Sequence, residues 1–249
     1  ALPILFAEAF TRAGVPDGVV NIVTGRGDEA GAHLLRHPDV GMVSFTGSTR
    51  IGKLLMRQCA DTMKRLSLEL GGNAPFIVFD DADLDAAVDG AVRACFSSAG
   101  QLCISTERVL VHESVYDRFV PRFVAAVSDM QVSSALEYGP DMGSLVSPEQ
   151  LATVQEHVDD AVAKGATVRV GGRALPEVGP YAYAPTVLEG VTAAMTCRDE
   201  ETFGPVAPLF RFRDEAEALA LANATPYGLG AYYYTQDLRR AWRVGEQLE

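Results

Sequence analysis

Basic residues are scarce in this chain. Its 249 residues hold 21 Lys and Arg against 33 Asp and Glu, for a net charge of −12. Nucleic acid and anionic membrane surfaces are recognised through basic patches, so neither is an expected partner. Long apolar runs are missing too: none approaches the roughly 20 residues of a membrane span, although 48% of the residues are hydrophobic. No charged-then-apolar signal segment opens the chain. Cysteines number only four, at positions 59, 95, 103 and 197, and they show neither CxxC pairing nor metal-like spacing. Reduced thiols, no bound metal and a cytoplasmic setting are therefore expected. Two short motifs of extracellular type, Asn223-Ala224-Thr225 for glycosylation and Arg26-Gly27-Asp28 for adhesion, have no matching address elsewhere in the sequence. Internal repeats and low-complexity tracts are lacking as well.

What is present is an alternation of apolar runs and amphipathic periods. Residues 1–13 carry a helical stripe of Leu5, Phe6 and Phe10, ended by Gly14. The runs 19–23, 41–45, 65–70 and 75–79 read as strands, with helical periods at 28–36 and 48–61 between them. Such alternation is the pattern of an α/β chain, a parallel sheet with crossover helices. Asp83 is a candidate cap for a helix that puts Leu84, Val88, Ala91 and Cys95 on one face and ends before Gly100. Strands follow at 108–112, 166–172 and 207–212, and helices at 114–130, 148–163 and 214–224. Gly71-Gly72 is the best candidate for a hinge, separating a domain 1–72 from a domain 73–249. The chain opens inside one helical pattern and stops inside another, so the expectation is a piece of a longer polypeptide.

Several short stretches carry chemical possibilities. Gly47 through Lys53 match the spacing of a phosphate-binding P-loop, but Leu54 stands where a Ser or Thr must hold Mg²⁺. A nucleotide-hydrolysing reading is thus the distant alternative. What remains is a helix start with Ser48 or Thr49 as cap, whose free N–H groups suit a pyrophosphate. GRGDEAG (25–31) has the wrong spacing for a dinucleotide fingerprint. Glu69 ends an apolar strand, where α/β sheets place their sites, and is a candidate general base. Cys59 and Cys95 fall on apolar helix faces and read as core. Cys103 instead lies in a polar loop after a helix, the setting a nucleophilic thiol needs.

FTGSTRIG, LELGGNAP, GQLC, EETFGPV and NATPYGLG occur in that order along nearly the whole chain. Together they resemble the aldehyde dehydrogenase superfamily. The resemblance implies half of a Rossmann-like cofactor domain (1–72) followed by an α/β catalytic domain (73–249). It implies that Cys103 is the nucleophile, forming a thiohemiacetal and then a thioester, and that Glu69 activates the hydrolytic water. Gly47 and Ser48 would sit by the pyrophosphate of NAD or NADP, and Leu70 near the nicotinamide amide. Glu201 and Phe203 would position the nicotinamide ribose and ring.

The branch that passes its acyl group to coenzyme A generally lacks the equivalent of Glu69, so hydrolysis to a free acid is implied. A small aldehyde, either a semialdehyde or a general aliphatic aldehyde, is the implied substrate, and a homodimer or homotetramer the implied assembly. Two departures matter. The family's oxyanion Asn and adenosine-ribose grip are expected before the first residue of this sequence. Some succinate-semialdehyde enzymes also carry an Arg six positions before the nucleophile, and Ser97 stands there instead. A non-catalytic scaffold of the same fold is the nearer alternative.

Overall fold

Parallel pairing links nearly every strand of the protein. The computed structural model describes residues 2–249, which divide into two compact units meeting in sequence between Leu70 and Gly71.

The first unit holds α1 (Leu2–Arg12), a π-type turn at Gly27–Gly31, α2 (Ala32–Arg36), β1 (Met42–Thr46), α3 (Thr49–Cys59) and β2 (Arg65–Glu69). Strands β1 and β2 run parallel, with Thr46 opposite Glu69. Their core is small: Leu35, Leu55 and Cys59 are buried, with Val43, Phe45, Ile51 and Leu66 packed around them. Lys64 is buried beside it, and its ammonium donates to the carbonyls of His37 and Val40, each at 2.6 Å. Burial of that charge requires such partners.

The run 19–23 forms no strand, contrary to its apolar pattern. A strand needs a neighbour to take its N–H and C=O groups. None pairs with this run among the described residues, and Val19 and Val23 stay 67% and 69% exposed.

The second unit builds one larger sheet. Its elements are β3 (Ala74–Val78), α4 (Leu84–Phe96), β4 (Thr106–His112), α5 (Glu113–Ser128), α6 (Pro148–Ala163), β5 (Thr167–Val170), β6 (Thr186–Glu189), α7 (Thr196–Asp199), β7 (Val206–Phe212), α8 (Glu215–Asn223), β8 (Tyr232–Tyr234) and α9 (Leu238–Gln247). The strand order is β5-β6-β7-β4-β3-β8, and only the β5–β6 pair is antiparallel.

Every residue of β3 is buried, as a strand covered by helices on both faces must be. Helices α4 and α5 cover one face, where Phe96, Phe119 and Phe123 stack with ring centroids about 6 Å apart. Side-chain caps fix several helix starts in this unit, among them Asp83 for α4, Ser147 for α6 and Asp214 for α8. Strands β6 and β8 and helix α7 are too short to have shown in the sequence pattern.

Candidate active site

Helix α4 stops at Phe96, and the chain then reverses through three consecutive left-handed residues. Ser98, Ala99 and Gly100 have φ of 53°, 56° and 69°. Ser98 and Ala99 each carry a strain of about 1–2 kcal/mol in that region, so the loop persists only because its flanks are held. The Gln101 side chain supplies one hold: its amide nitrogen donates to Ser98 O at 3.1 Å and Ser144 O at 3.3 Å, and its oxygen accepts from Val146 N at 2.8 Å. The Tyr232 hydroxyl supplies another by donating to Ile104 O at 2.8 Å. Beyond the loop, the buried Arg108 guanidinium donates to the carbonyls of Asn73, Leu221 and Ala222.

Cys103 sits in the middle of this loop and is partly accessible, whereas Cys59, Cys95 and Cys197 are buried. Burial pushes the Cys197 thiol up to about 12 and that of Cys95 upward as well, which keeps both protonated and inert.

The loop before β7 carries Glu201 and Phe203, and it is clamped from three sides. Glu107, on β4 and only 5% exposed, accepts from the backbone N–H of Thr202 at 2.6 Å and of Phe203 at 2.8 Å. Gln150 of α6 donates to the Thr202 and Phe203 carbonyls at 2.9 and 3.0 Å. His157 Nδ1 lies 3.0 Å from the Thr202 hydroxyl. The clamp holds Phe203 at φ 49°, a conformation side chains other than glycine seldom adopt. Burial raises the Glu107 carboxyl to about 8, outweighing the two N–H bonds that favour its ionised form. Burial also raises Glu201 and lowers His157.

Glycines let these loops touch. The Glu201 carboxylate accepts from Gly72 N at 2.9 Å. A Cβ at Gly71 would run into that carboxylate, and one at Gly72 into the Cys103 carbonyl. A Cβ at Gly100 would run into the Gly204 carbonyl. The structure thus gathers Cys103, Glu201 and Phe203 around Gly72. All lie just before strands β4, β7 and β3, which are neighbours in the sheet. Glu107, Gln150 and His157 were not evident from sequence. The one available signal was a charged residue in the otherwise apolar strand RVLV and its lead-in.

In the first unit, Gly47, Ser48, Glu69 and Leu70 come together at the carboxyl end of the β1–β2 pair. Gly47 N donates to Glu69 O at 3.0 Å, and the exposed Glu69 side chain ends β2. The Ser48 hydroxyl caps α3 by accepting from Ile51 N at 3.4 Å. Gly52 packs directly on Leu70, where a Cβ would lie 2.6 Å from Leu70 Cδ2. Because α3 begins at Thr49, Lys53 already lies in its second turn. No loop remains between Gly47 and Lys53 to cradle a triphosphate, which removes the P-loop reading.

Among the described residues, no group of His, Cys, Asp or Glu is placed to hold a metal ion. No helix is long and apolar enough to cross a membrane.

Comparison with known proteins gives a consistent outcome. The sequence matches the aldehyde dehydrogenase family over residues 1–249. It is 51% identical to a succinate-semialdehyde dehydrogenase [NADP(+)] of Escherichia coli over 246 residues, 99% of this chain and 51% of that protein. It is 48% identical to a glutarate-semialdehyde dehydrogenase of Pseudomonas aeruginosa, again over 99% of this chain and 51% of the relative. The crystal structure of a succinate-semialdehyde dehydrogenase from Burkholderia pseudomallei superposes with a TM-score of 0.95 at 50% identity, covering 98% of this chain and 50% of that one. The chain spans about half the length of the relatives it matches. Fold, motifs and matched length agree: the chain belongs to the aldehyde dehydrogenase family.

Proposed function

We propose that this chain carries the nucleophile, the general base and part of the cofactor site of an NAD- or NADP-dependent enzyme that oxidises an aldehyde to the carboxylic acid. The observation that carries the reading is Cys103: the accessible thiol of the four, on a strained and anchored loop that abuts the loop of Glu201 and Phe203. Strain held in place at an exposed nucleophile is the mark of a site under functional constraint. The relatives are named for succinate and glutarate semialdehydes, which makes a semialdehyde the preferred substrate class. Residues 1–72 form part of the cofactor domain in this reading, and 73–249 the catalytic domain. Assembly as a homodimer or homotetramer rests on family resemblance alone.

The residues present fit a nicotinamide dinucleotide. The capped start of α3 leaves backbone N–H groups for a pyrophosphate beside Gly47 and Ser48. The half-buried Glu201 carboxylate suits ribose hydroxyls and Phe203 an apolar ring face, and the family resemblance assigns Leu70 a backbone contact near the nicotinamide amide. The bound cofactor supplies the acceptor for the hydride that must leave the substrate carbon.

The chain's own residues do the rest. The Cys103 thiolate bonds to the aldehyde carbon while the carbonyl π pair moves onto oxygen. Among the described residues the Cys103 N–H makes no hydrogen bond, and it is free to donate to that oxyanion. Once the Cys103-bound carbon has reached the thioester level, Glu69 takes a proton from the water that adds to it. The C–S bond then breaks, releasing the acid and regenerating the thiolate. A thiolate both adds readily and leaves readily, which a serine alkoxide does not.

The test uses the complete gene product with NAD and NADP and a panel of aldehydes, following reduced nicotinamide. Cys103→Ala is expected to abolish its formation. Glu69→Gln is expected to give a burst near one equivalent and then turn over about 10²–10⁴-fold more slowly. Cofactor reduction that persists in Cys103→Ala sinks the mechanism, and normal steady turnover in Glu69→Gln removes the base.

A further inference from the structure

We infer that Arg93 is the substrate anchor of this site: its guanidinium binds a carboxylate at the far end of the aldehyde and so selects charged aldehydes over neutral ones. The inference rests on the aldehyde-oxidising reading above.

A groove of about 600 Å³ runs between α4 and β8 and reaches Leu102, Ile104 and Ser105, the residues on either side of Cys103. Tyr232 forms its opposite wall. The Tyr232 hydroxyl donates to Ile104 O at 2.8 Å, which ties this wall to the loop of the nucleophile.

On the helix side, Gly90, Arg93, Ala94 and Ser97 share one face of α4 at helical spacing. A Cβ at Gly90 would run into the Tyr234 hydroxyl, so helix and strand meet there and close one end of the groove. Arg93 is the next side chain along that face. Ser97, one turn nearer the nucleophile loop, is short and neutral and lines the same groove.

Arg93 is the single charged side chain in this lining. Among the described residues it has no ion-pair partner. Asp89 stands one turn before it on α4, and Asp129 and Asp141 border a smaller hollow on its other side, yet none pairs with it. Elsewhere the arginines are mostly engaged, as Arg122 is with Asp85 and Arg240 with Asp80 and Asp81. An unpaired guanidinium on the lining of this groove can take a carboxylate by bidentate hydrogen bonding.

A substrate held at Cys103 that extends along this groove meets the one cation of its lining at Arg93.

The test compares succinate semialdehyde with butanal, which carries a methyl group in place of the carboxylate, on the complete gene product. The wild type is expected to favour the charged aldehyde in kcat/KM. Arg93→Ala is expected to lower the ratio of the two kcat/KM values by about tenfold or more, chiefly through KM for the semialdehyde. Arg93→Lys should restore part of the ratio and Arg93→Glu should lower it further. A ratio that moves less than about twofold in Arg93→Ala, with both aldehydes still oxidised, overturns the anchor and leaves the aldehyde-oxidising reading standing. A wild type that reduces neither cofactor with either aldehyde overturns both.

Discussion

Glu107 is the residue on which the Phe203 loop hangs, and its protonation gives a measurable handle. Its folded-state carboxyl lies near 8, above the ordinary value of 4.5. Between those values the folded protein binds a proton that the unfolded chain has released. The stability tied to this group is therefore full below about pH 4.5 and is lost as pH rises through about 8. Glu107→Gln removes the titration while keeping the shape. The thermal midpoint of the wild type is expected to fall relative to that of Glu107→Gln between about pH 5 and 8. Parallel curves across that range would mean that Glu107 titrates as an ordinary carboxylate. The residue was invisible in the sequence because its partners Thr202 and Phe203 lie 95 and 96 positions away. Cys103 was legible because its setting is local: a helix that ends, a glycine, and a polar loop. Arg93 was not legible, since nothing local sets it apart from other exposed arginines until the groove beside it is seen.

At the scale of elements, the turns depend on absent side chains more than on present ones. Gly14 has φ of 80° with nothing within 4 Å of the place a methyl would take, so Gly14→Ala should cost about 1 kcal/mol of left-handed strain. Gly72 has no such φ, but its methyl would enter the Cys103 carbonyl; Gly100 combines both problems. Gly72→Ala and Gly100→Ala are expected to cost about 1–3 kcal/mol or more and to change the rate at which iodoacetamide alkylates Cys103. Gly14→Ala should leave that rate alone. Equal alkylation rates in all three variants would remove the close contact as the cause. Helix 148–163 was legible to the residue because Ser147 caps it and its period is regular. The run 19–23 misled because apolar character makes a strand possible but only a neighbour makes it real. Strands β6 and β8, of four and three residues, owe their existence to β7 and β3 rather than to their own sequence.

For the whole molecule, the two units differ in how much they bury. The second has a continuous core running from Phe76 and Val78 through Val109 and Val111 to Ala207 and Leu209; the first has three buried apolar residues in its cluster. Hydrogen exchange should follow that difference. Amides of β3, β4 and β7 should persist longest, while those of β1 and β2 exchange earlier; the reverse order would refute the burial argument. The α/β class was legible from the alternation of runs, but the strand order was not, because β3 joins β4 and β8 across long stretches of chain. One further consequence concerns the sheet's two edges. Loops entering β3, β4 and β7 carry Cys103 and its neighbours, so the site lies at the amino edge of the second sheet. Open parallel sheets usually give ligands the opposite edge. Here the opposite edge is stapled instead: Asp81, just after β3, accepts from Thr235, Gln236, Asp237 and Arg240. It is the end of this sheet most open to grafting, where a loop could be lengthened or a tag inserted beyond the Asp81 staple without approaching the chemistry.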